Sequence, residues 1–206
     1  MGNKQTNRTS DSHPHQVDFI PKEYLPMNET CMLGMMMCPG RNKKIHRRNL
    51  QQDLERIRDK FDGQTIVTLV RNEELEEMNI VEYLPKIKQE FGMKSIHFPI
   101  RDKSLPNDKE EFCKLIDEII QELINGRRVI VHCNGGKGRA ATVCTAVLQV
   151  LKVRKVKCQE YISSSSNAMT IVRTTRGSGT LQNPIQIIWL KTKFLSYYEN
   201  EHFKGS

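Results

Sequence analysis

The chain has 206 residues, a net charge of +8 and six cysteines. Its length suits one domain with a core large enough to fold without disulfides. The cysteines have no spacing typical of zinc, and the longest apolar run, residues 31–38, is far shorter than the roughly 20 residues that cross a bilayer. We therefore expect a cytoplasmic protein without metal or other cofactor, and the basic balance favours anionic partners.

The N-terminal residues suggest a tail with a candidate modification site. Residues 1–17 are polar, so we expect a disordered tail there, one domain over residues 18–203 and a short tail over residues 204–206. The first six residues fit the N-myristoylation pattern Met-Gly-x-x-x-Ser/Thr, which makes Gly2 a candidate lipidation site. A chance match explains so short a pattern equally well, and one myristoyl chain would give only weak, peripheral membrane association.

The densest basic patch, residues 41–48, contains five Lys and Arg residues. No aromatic residue is interleaved with them, so we expect no nucleic acid as a partner. A solvated loop, a docking surface for acidic substrates and a docking surface for anionic lipid all remain open.

Apolar spacing predicts strands that alternate with helices. Residues 31–38, 66–70 and 129–132 are typical of buried strands, and residues 96–100 of a half-buried strand. Helical spacing covers residues 50–61, 112–124, 143–151 and 161–172, and it predicts a last helix whose core face is Ile185, Ile188, Trp189, Thr192 and Leu195. The alternation predicts an α/β fold with a central, mostly parallel sheet of four to five strands flanked by helices.

The strand over residues 129–132 leads into a glycine-rich loop that begins at Cys133 and ends at Arg139. A cysteine attacks phosphorus as the thiolate, and a free thiol with a pKa of about 8.5 is only slightly ionised at neutral pH. Converging backbone N–H groups and the positive end of the following helix would stabilise a thiolate and a phosphate alike. Arg139 can hold two phosphate oxygens. The predicted phosphate-binding residues are Asn134, Gly135, Gly136, Lys137, Gly138 and Arg139.

A structural cysteine beside a nucleotide-binding turn is the alternative. A Walker loop ends in Gly-Lys followed by Ser or Thr, whereas this loop ends in Gly138-Arg139-Ala140. The order of strand, His132-Cys133, glycines, Arg139 and helix resembles the active-site loop of the cysteine-dependent protein tyrosine and dual-specificity phosphatases, whose signature is His-Cys-x-x-Gly-x-x-Arg.

Within that superfamily the chain most resembles the kinase-associated phosphatase family, which is similar to cyclin-dependent kinase inhibitor 3. Four stretches carry the resemblance: Leu33-Gly34 with Pro39-Gly40, the segment from Glu73-Glu74-Leu75 to Leu84, the loop from His132 to Arg139, and Arg176-Gly177-Ser178-Gly179 with Gln182. The resemblance implies a phosphotyrosine protein phosphatase-like fold, a phosphorylated protein as substrate and a kinase as a candidate partner.

The resemblance also implies roles for individual residues. Asp102, in a loop bounded by prolines, is the implied general acid. His132, from its own position at the junction of strand and loop, is expected to order the cysteine loop by hydrogen bonding. Gln182 is implied to orient water, with Gln186 as its partner. Asp108 competes for the acid role, but it follows Asn107, whose spacing to Glu110 indicates a capping box, so Asp108 fits the first turn of a helix.

Two residues depart from the family pattern. Ala140 stands where these phosphatases usually have a serine or threonine that donates to the departing sulfur, so we expect slow breakdown of the thiophosphate. Lys137 adds a cation to the loop, which either favours highly anionic substrates or is simply solvated.

The predicted function is a cysteine-dependent phosphoprotein phosphatase that acts on phosphotyrosine and phosphoserine or phosphothreonine through a phosphocysteine intermediate. Catalysis would rest on Cys133, Arg139, Asp102 and Gln182. The alternatives are a phosphoinositide or RNA 5′-triphosphate phosphatase, and a weakly active module that binds phosphoproteins.

Overall fold

The computed structural model describes residues 7–203. In chain order the elements are β1 (Arg8–Thr9), β2 (Asp18–Phe19), β3 (Met32–Met37), β4 (His46–Arg47), α1 (Leu50–Phe61), β5 (Thr65–Thr68), α2 (Asn72–Glu77), α3 (Tyr83–Gln89), β6 (Lys94–His97), α4 (Lys109–Ile124), β7 (Arg128–Cys133), α5 (Arg139–Val153), α6 (Ser165–Arg176), α7 (Pro184–Thr192) and α8 (Phe194–Phe203). Within residues 7–203, no helix combines the length and the apolar character that a bilayer span requires.

A five-stranded sheet with the order β2-β3-β7-β5-β6 forms the centre of the fold. Strands β3, β7, β5 and β6 run parallel to one another, and the two-residue β2 at the edge is antiparallel to β3. Its central strand, β7, is apolar because both of its faces are covered. The predicted α/β class is confirmed. Ligands of open α/β sheets bind beyond the carboxyl ends of the strands, which is where the chain continues from Cys133.

Helices cover the sheet with two separate apolar layers. The layer with α4 and α5 contains Phe112, Val147 and Trp189, and the layer with α1 and α3 contains Leu54 and Ile87. Nearly every side chain of α5 is buried, because this helix lies between the sheet and the C-terminal helices. The first residue of α5 is therefore held by packing all along the helix.

The predicted last core helix is divided into α7 and α8. Ile185 and Ile188 are 58% and 57% exposed, so the prediction that they belong to the core is wrong. The residues of α7 that are buried are Gln186, Trp189 and Leu190. Each lies one position later in the chain than the corresponding residue of the predicted apolar face. A polar residue thus occupies the first core position, which apolar spacing alone could not indicate.

The N-terminal segment packs onto the domain. In the smaller sheet β1 pairs with β4, and Ser10 and His15 are buried. The Ser10 hydroxyl donates to Oδ1 of the buried Asp53 at 2.8 Å. The predicted disorder over residues 1–17 is therefore wrong for residues 7–17, because Asp53 provides a buried acceptor for this polar segment. Gly2 and the rest of the lipidation pattern lie outside the described residues.

Candidate active site

Cys133 ends β7, and the loop after it curls back toward the sulfur. The thiol is buried, with Cys133 only 3% exposed, and the N–H of Gly136 donates to its Sγ at 3.2 Å. Gly136 has a φ of +70°, and a Cβ there would lie 2.2 Å from the carbonyl oxygen of Met36. The N–H of Cys38 donates to the carbonyl oxygen of Asn134 at 3.3 Å. The end of β3 therefore fixes the loop and requires glycine at its sharpest bend.

A cavity of about 530 Å³ opens above the loop. Its walls come from the loop after Cys133, from residues 102–103 after β6 and from residues 179–186 around the start of α7. A larger cavity of about 680 Å³ lies between the end of α5 and α8 and contains none of the loop residues. Three of the four predicted catalytic residues, Cys133, Asp102 and Gln182, thus line the cavity at the cysteine loop.

Arg139, the first residue of α5, is 1% exposed. Its Nη1 and Nη2 donate to the two carboxylate oxygens of Glu74 at 2.6 and 2.8 Å, and Nη1 also donates to the carbonyl oxygen of Ile100 at 2.8 Å. Nε is buried and has no acceptor among the described residues. Nη2 also lies 3.3 Å from Oδ1 of Asp102, a residue of the cavity wall. The edge formed by Nε and Nη2 is therefore the part of the guanidinium that can take a phosphate oxygen.

Glu74, in the first turn of α2, is a site residue that the sequence analysis did not single out. Burial opposes its charged form, but hydrogen bonds from Arg139 and from the N–H of Arg71 outweigh burial and lower the pKa of Glu74. The ionised carboxylate anchors the far end of the guanidinium. A buried arginine needs a carboxylate partner, which is a signal that some acid pairs with Arg139. The sequence does not show which acid this is, because Glu74 stands among acidic residues with exposed charges.

The structure separates the two candidate acids. Asp102 lies in the loop after β6, lines the cavity and has a side chain that is 64% exposed. Asp108 instead caps α4, because its Oδ1 accepts the N–H of Glu111 at 2.9 Å. The predicted cap at Asn107 was one residue too early. Asp102 is therefore the acid that the fold brings to the cysteine loop.

Two glutamines border the cavity in different environments. Gln182 is exposed, whereas Gln186 is 1% exposed and donates from Nε2 to the carbonyl oxygen of Ser104 at 3.0 Å. Oε1 of Gln186 is buried without a donor among residues 7–203 and faces Gly138 of the loop. Gln186 therefore offers the free acceptor, and the water-orienting role of Gln182 stays a prediction.

His132 and Lys137 tie the loop to its surroundings. Nε2 of His132 lies 2.9 Å from Oγ1 of Thr68 and 2.7 Å from the hydroxyl of Tyr83, and burial lowers the pKa of His132 to about 3. The imidazole is therefore neutral at physiological pH. The Nζ of Lys137 donates to the carbonyl oxygen of Ser178 at 2.5 Å, so this lysine bridges to the segment before α7 while it lines the cavity.

The basic patch of residues 41–48 divides between structural and exposed positions. Arg48 is buried in an ion pair with Asp53, and Lys43 pairs with Glu77. Nη1 of Arg41 lies 4.0 Å from the sulfur of Met37, the strand neighbour of Cys133. Part of the patch therefore holds the fold, and part of it lies beside the cysteine loop.

Comparison with known proteins identifies the family. The family model described as cyclin-dependent kinase inhibitor 3 matches residues 6–162, more than half of the chain. The chain belongs to the cyclin-dependent kinase inhibitor 3 family. The member from Sus scrofa is 30% identical over 177 residues, which cover 86% of this chain and 77% of the relative. The member from Homo sapiens is 30% identical over 164 residues, which cover 80% and 72%. The predicted family is confirmed.

A solved structure supports the same assignment. The crystal structure of kinase associated phosphatase, with serine in place of its catalytic site cysteine, is 26% identical and has a TM-score of 0.76. The match covers 89% of this chain and 96% of that chain. The phosphatase-like α/β fold is thereby confirmed, and the family belongs to the dual-specificity phosphatases.

Proposed function

We propose that this protein is a metal-independent cysteine phosphatase of phosphoproteins that acts on phosphotyrosine and on phosphoserine or phosphothreonine. The observation that carries the proposal is that Cys133 and Asp102 line one cavity, while Nη2 of the buried Arg139 lies 3.3 Å from Oδ1 of that same Asp102. This arrangement supplies a nucleophile, a proton donor and a cation for phosphoryl oxygens.

In the first step the Cys133 thiolate attacks phosphorus. The S–P bond forms with the sulfur electron pair as the bond between phosphorus and the leaving oxygen breaks. Loop N–H groups and Arg139 hold the phosphoryl oxygens, and Asp102 gives its proton to the leaving oxygen. A phosphate oxygen bound to Nη2 of Arg139 would replace the contact of Nη2 with Oδ1 of Asp102, which is 3.3 Å long. The carboxyl group of Asp102 would then be free to reach the leaving oxygen.

In the second step a water molecule hydrolyses the phosphocysteine. Asp102, now ionised, takes a proton from the water, the oxygen bonds to phosphorus, and the S–P bond breaks to restore the thiolate. Gln182 or the free Oε1 of Gln186 accepts the second hydrogen bond of the water. The burial of Gln186 and its anchor on Ser104 would keep this acceptor in place.

The names of the relatives suggest a phosphorylated kinase as the protein substrate. Lys103 and Lys137 lie at the cavity and would attract the charge of a phosphorylated side chain. Lys137 equally suits a phosphoinositide or an RNA 5′-triphosphate. Ala140, fully buried directly after Arg139, offers no hydroxyl to the departing sulfur and favours the binding module.

Trapping of the covalent intermediate tests the proposal. Phosphopeptide labelled with ³²P is mixed with the protein in the presence of a chelator and quenched in acid within milliseconds. We expect label on the peptide that contains Cys133 and no label on Cys133→Ser. Tight phosphopeptide binding without label or hydrolysis would establish the binding module, whereas labelling by phosphoinositide or RNA 5′-triphosphate alone would establish the other phosphatases.

Ala140→Ser is expected to raise steady-state turnover by about 10²-fold, because the new hydroxyl would donate to the sulfur as the thiophosphate breaks down. Stopped-flow assays with an aryl phosphate measure the change. The parent protein should show a burst of product followed by slow turnover, and the burst should shrink in the variant. Ala146→Ser, which adds a hydroxyl to a buried position farther along α5, is the matched control. A parent without a burst and equal turnover of the two proteins would contradict the expectation.

A further inference from the structure

The guanidinium of Arg176, at the end of α6, contacts the outside of the cysteine loop. Nε donates to the carbonyl oxygen of Gly136 at 3.1 Å, and Nη2 donates to the carbonyl oxygen of Gly135 at 3.3 Å. Nη1 forms an ion pair with Asp18 on the edge strand β2. All three nitrogens are thus used, and two of them hold consecutive peptide groups of the loop.

Those peptide groups carry donors on their opposite side. The carbonyl of Gly135 and the N–H of Gly136 belong to one planar trans peptide, so they point in opposite directions. The carbonyl end accepts from Arg176 at 3.3 Å, and the N–H end donates to Sγ of Cys133 at 3.2 Å. The carbonyl of Gly136 likewise shares a peptide with the N–H of Lys137. Arg176 therefore acts on the Cys133 sulfur through the peptide group between Gly135 and Gly136. It acts on the N–H of Lys137 through the next peptide group.

The end of β3 fixes Gly136 and the Lys137 side chain bonds to Ser178, but neither contact holds the peptide group of Gly135. A Cβ built on Gly135 would meet no atom of residues 7–203 within 4 Å, so packing in this part of the chain does not hold the residue. Glycine peptides rotate easily, and a rotated peptide would turn a carbonyl oxygen toward the thiolate instead of an N–H. A charged donor on the carbonyl also polarises the peptide and strengthens the N–H at its other end.

We propose that Arg176, oriented by Asp18, is a positioning residue that fixes and polarises the peptide groups whose N–H donors stabilise the Cys133 thiolate. The inference deepens the proposed function, since the thiolate is the nucleophile in that reaction. Its first consequence is the ionisation of Cys133, which can be measured without any turnover.

The pH dependence of Cys133 alkylation tests the inference. Iodoacetamide labelling is followed over pH 4–10 by mass spectrometry of the peptide that contains Cys133, which separates this thiol from the other five cysteines. Arg176→Met should move the midpoint of the profile upward by about one pH unit, because the thiolate loses a strengthened hydrogen bond and a nearby positive charge. Arg176→Lys keeps the charge but not the two-carbonyl geometry, and we expect an intermediate shift.

Arg173→Met is the matched control. Arg173 lies on the same helix and donates to the carbonyl oxygen of Leu181 at 2.8 Å, away from the two loop carbonyls. Its midpoint should equal that of the parent protein. Arg176→Lys serves as the test if Arg176→Met does not fold.

Two results would overturn the inference. One is a parental midpoint in folded Arg176→Met, and the other is an equal shift in Arg173→Met, which would indicate general loosening of the C-terminal segment. Failure of the proposed function gives a different pattern, in which the parent and variants show the expected midpoints but no phosphate ester is hydrolysed.

Discussion

Glu74→Ala is expected to lower the free energy of unfolding by about 3–5 kcal/mol, because it removes the carboxylate that binds both terminal nitrogens of the buried Arg139 and leaves only the carboxylate of the exposed Asp102 at 3.3 Å. Arg139 is 1% exposed, so water cannot replace the lost partner. Glu74→Gln keeps the shape and one acceptor oxygen, and we expect a smaller loss of about 1–3 kcal/mol. Urea denaturation followed by circular dichroism measures both losses.

Glu73→Ala is the matched control for this prediction. Glu73 lies beside Glu74 in α2, its side chain is 66% exposed, and it contacts Arg71 at 3.7 Å. An exposed pair of this kind contributes at most about 1 kcal/mol. If Glu74→Ala lowered the free energy of unfolding no more than Glu73→Ala, the buried pair of Glu74 and Arg139 would not stabilise the fold.

Glu74→Gln should also affect phosphate binding. The two hydrogen bonds from Nη1 and Nη2 set the plane of the guanidinium and so orient Nε, which has no acceptor among the described residues and belongs to the edge proposed to take a phosphate oxygen. Loss of one of them should reduce kcat/KM by up to about 10²-fold while the protein remains folded.

The sequence predicts the cysteine loop well because its signal is local. The residues from His132 to Arg139 are consecutive, and the strand before them and the helix after them follow from apolar spacing. The partner of Arg139 could not be predicted in this way. Glu74 lies 65 positions away in a run of acidic residues whose charges are otherwise exposed. Only the packing of α2 against the carboxyl end of the sheet shows which of these acids is buried.

The prediction for the N-terminal residues failed for a similar reason. A segment of polar residues is typical of disorder, yet Ser10 contacts an acid that is 43 positions away. Asp53 itself lies in the first turn of the amphipathic helix α1. An acidic residue there is ordinarily expected on the exposed face, where it interacts with the positive end of the helix. Composition describes each segment separately, so it could not indicate that these two polar groups bury one another.

Asp53→Ala is expected to lower the free energy of unfolding by about 3–5 kcal/mol, because it removes the partner of a buried arginine. Arg48 donates from Nε and Nη2 to Asp53 at 2.8 and 2.7 Å, and both side chains are almost fully buried. The N–H of Gly40 also donates to this carboxylate at 2.9 Å. The variant should further release residues 7–17, which amide hydrogen exchange would detect as loss of protection.

Asp59→Ala on the same helix is the matched control. Its side chain is 60% exposed and pairs with the exposed Arg58, so we expect almost no change in the free energy of unfolding. A similar loss in the two variants, or unchanged hydrogen exchange over residues 7–17 in Asp53→Ala, would contradict the proposed anchor.

The ionisation of Asp53 gives this prediction a pH dependence. Burial opposes the carboxylate, but His15 and Arg48 outweigh it and hold the pKa of Asp53 well below its usual range. The unfolded chain titrates near 3.9, so the stabilisation is complete above that pH and is lost as the pH falls toward the lower folded value. Burial also lowers the pKa of His46 to about 4, and this group reduces stability from about pH 6.5 downward in both proteins. The difference between the parent and Asp53→Asn should therefore shrink below pH 4, as the carboxylate becomes protonated in the folded protein. A difference that remained unchanged between pH 4 and 2 would contradict the role of the carboxylate.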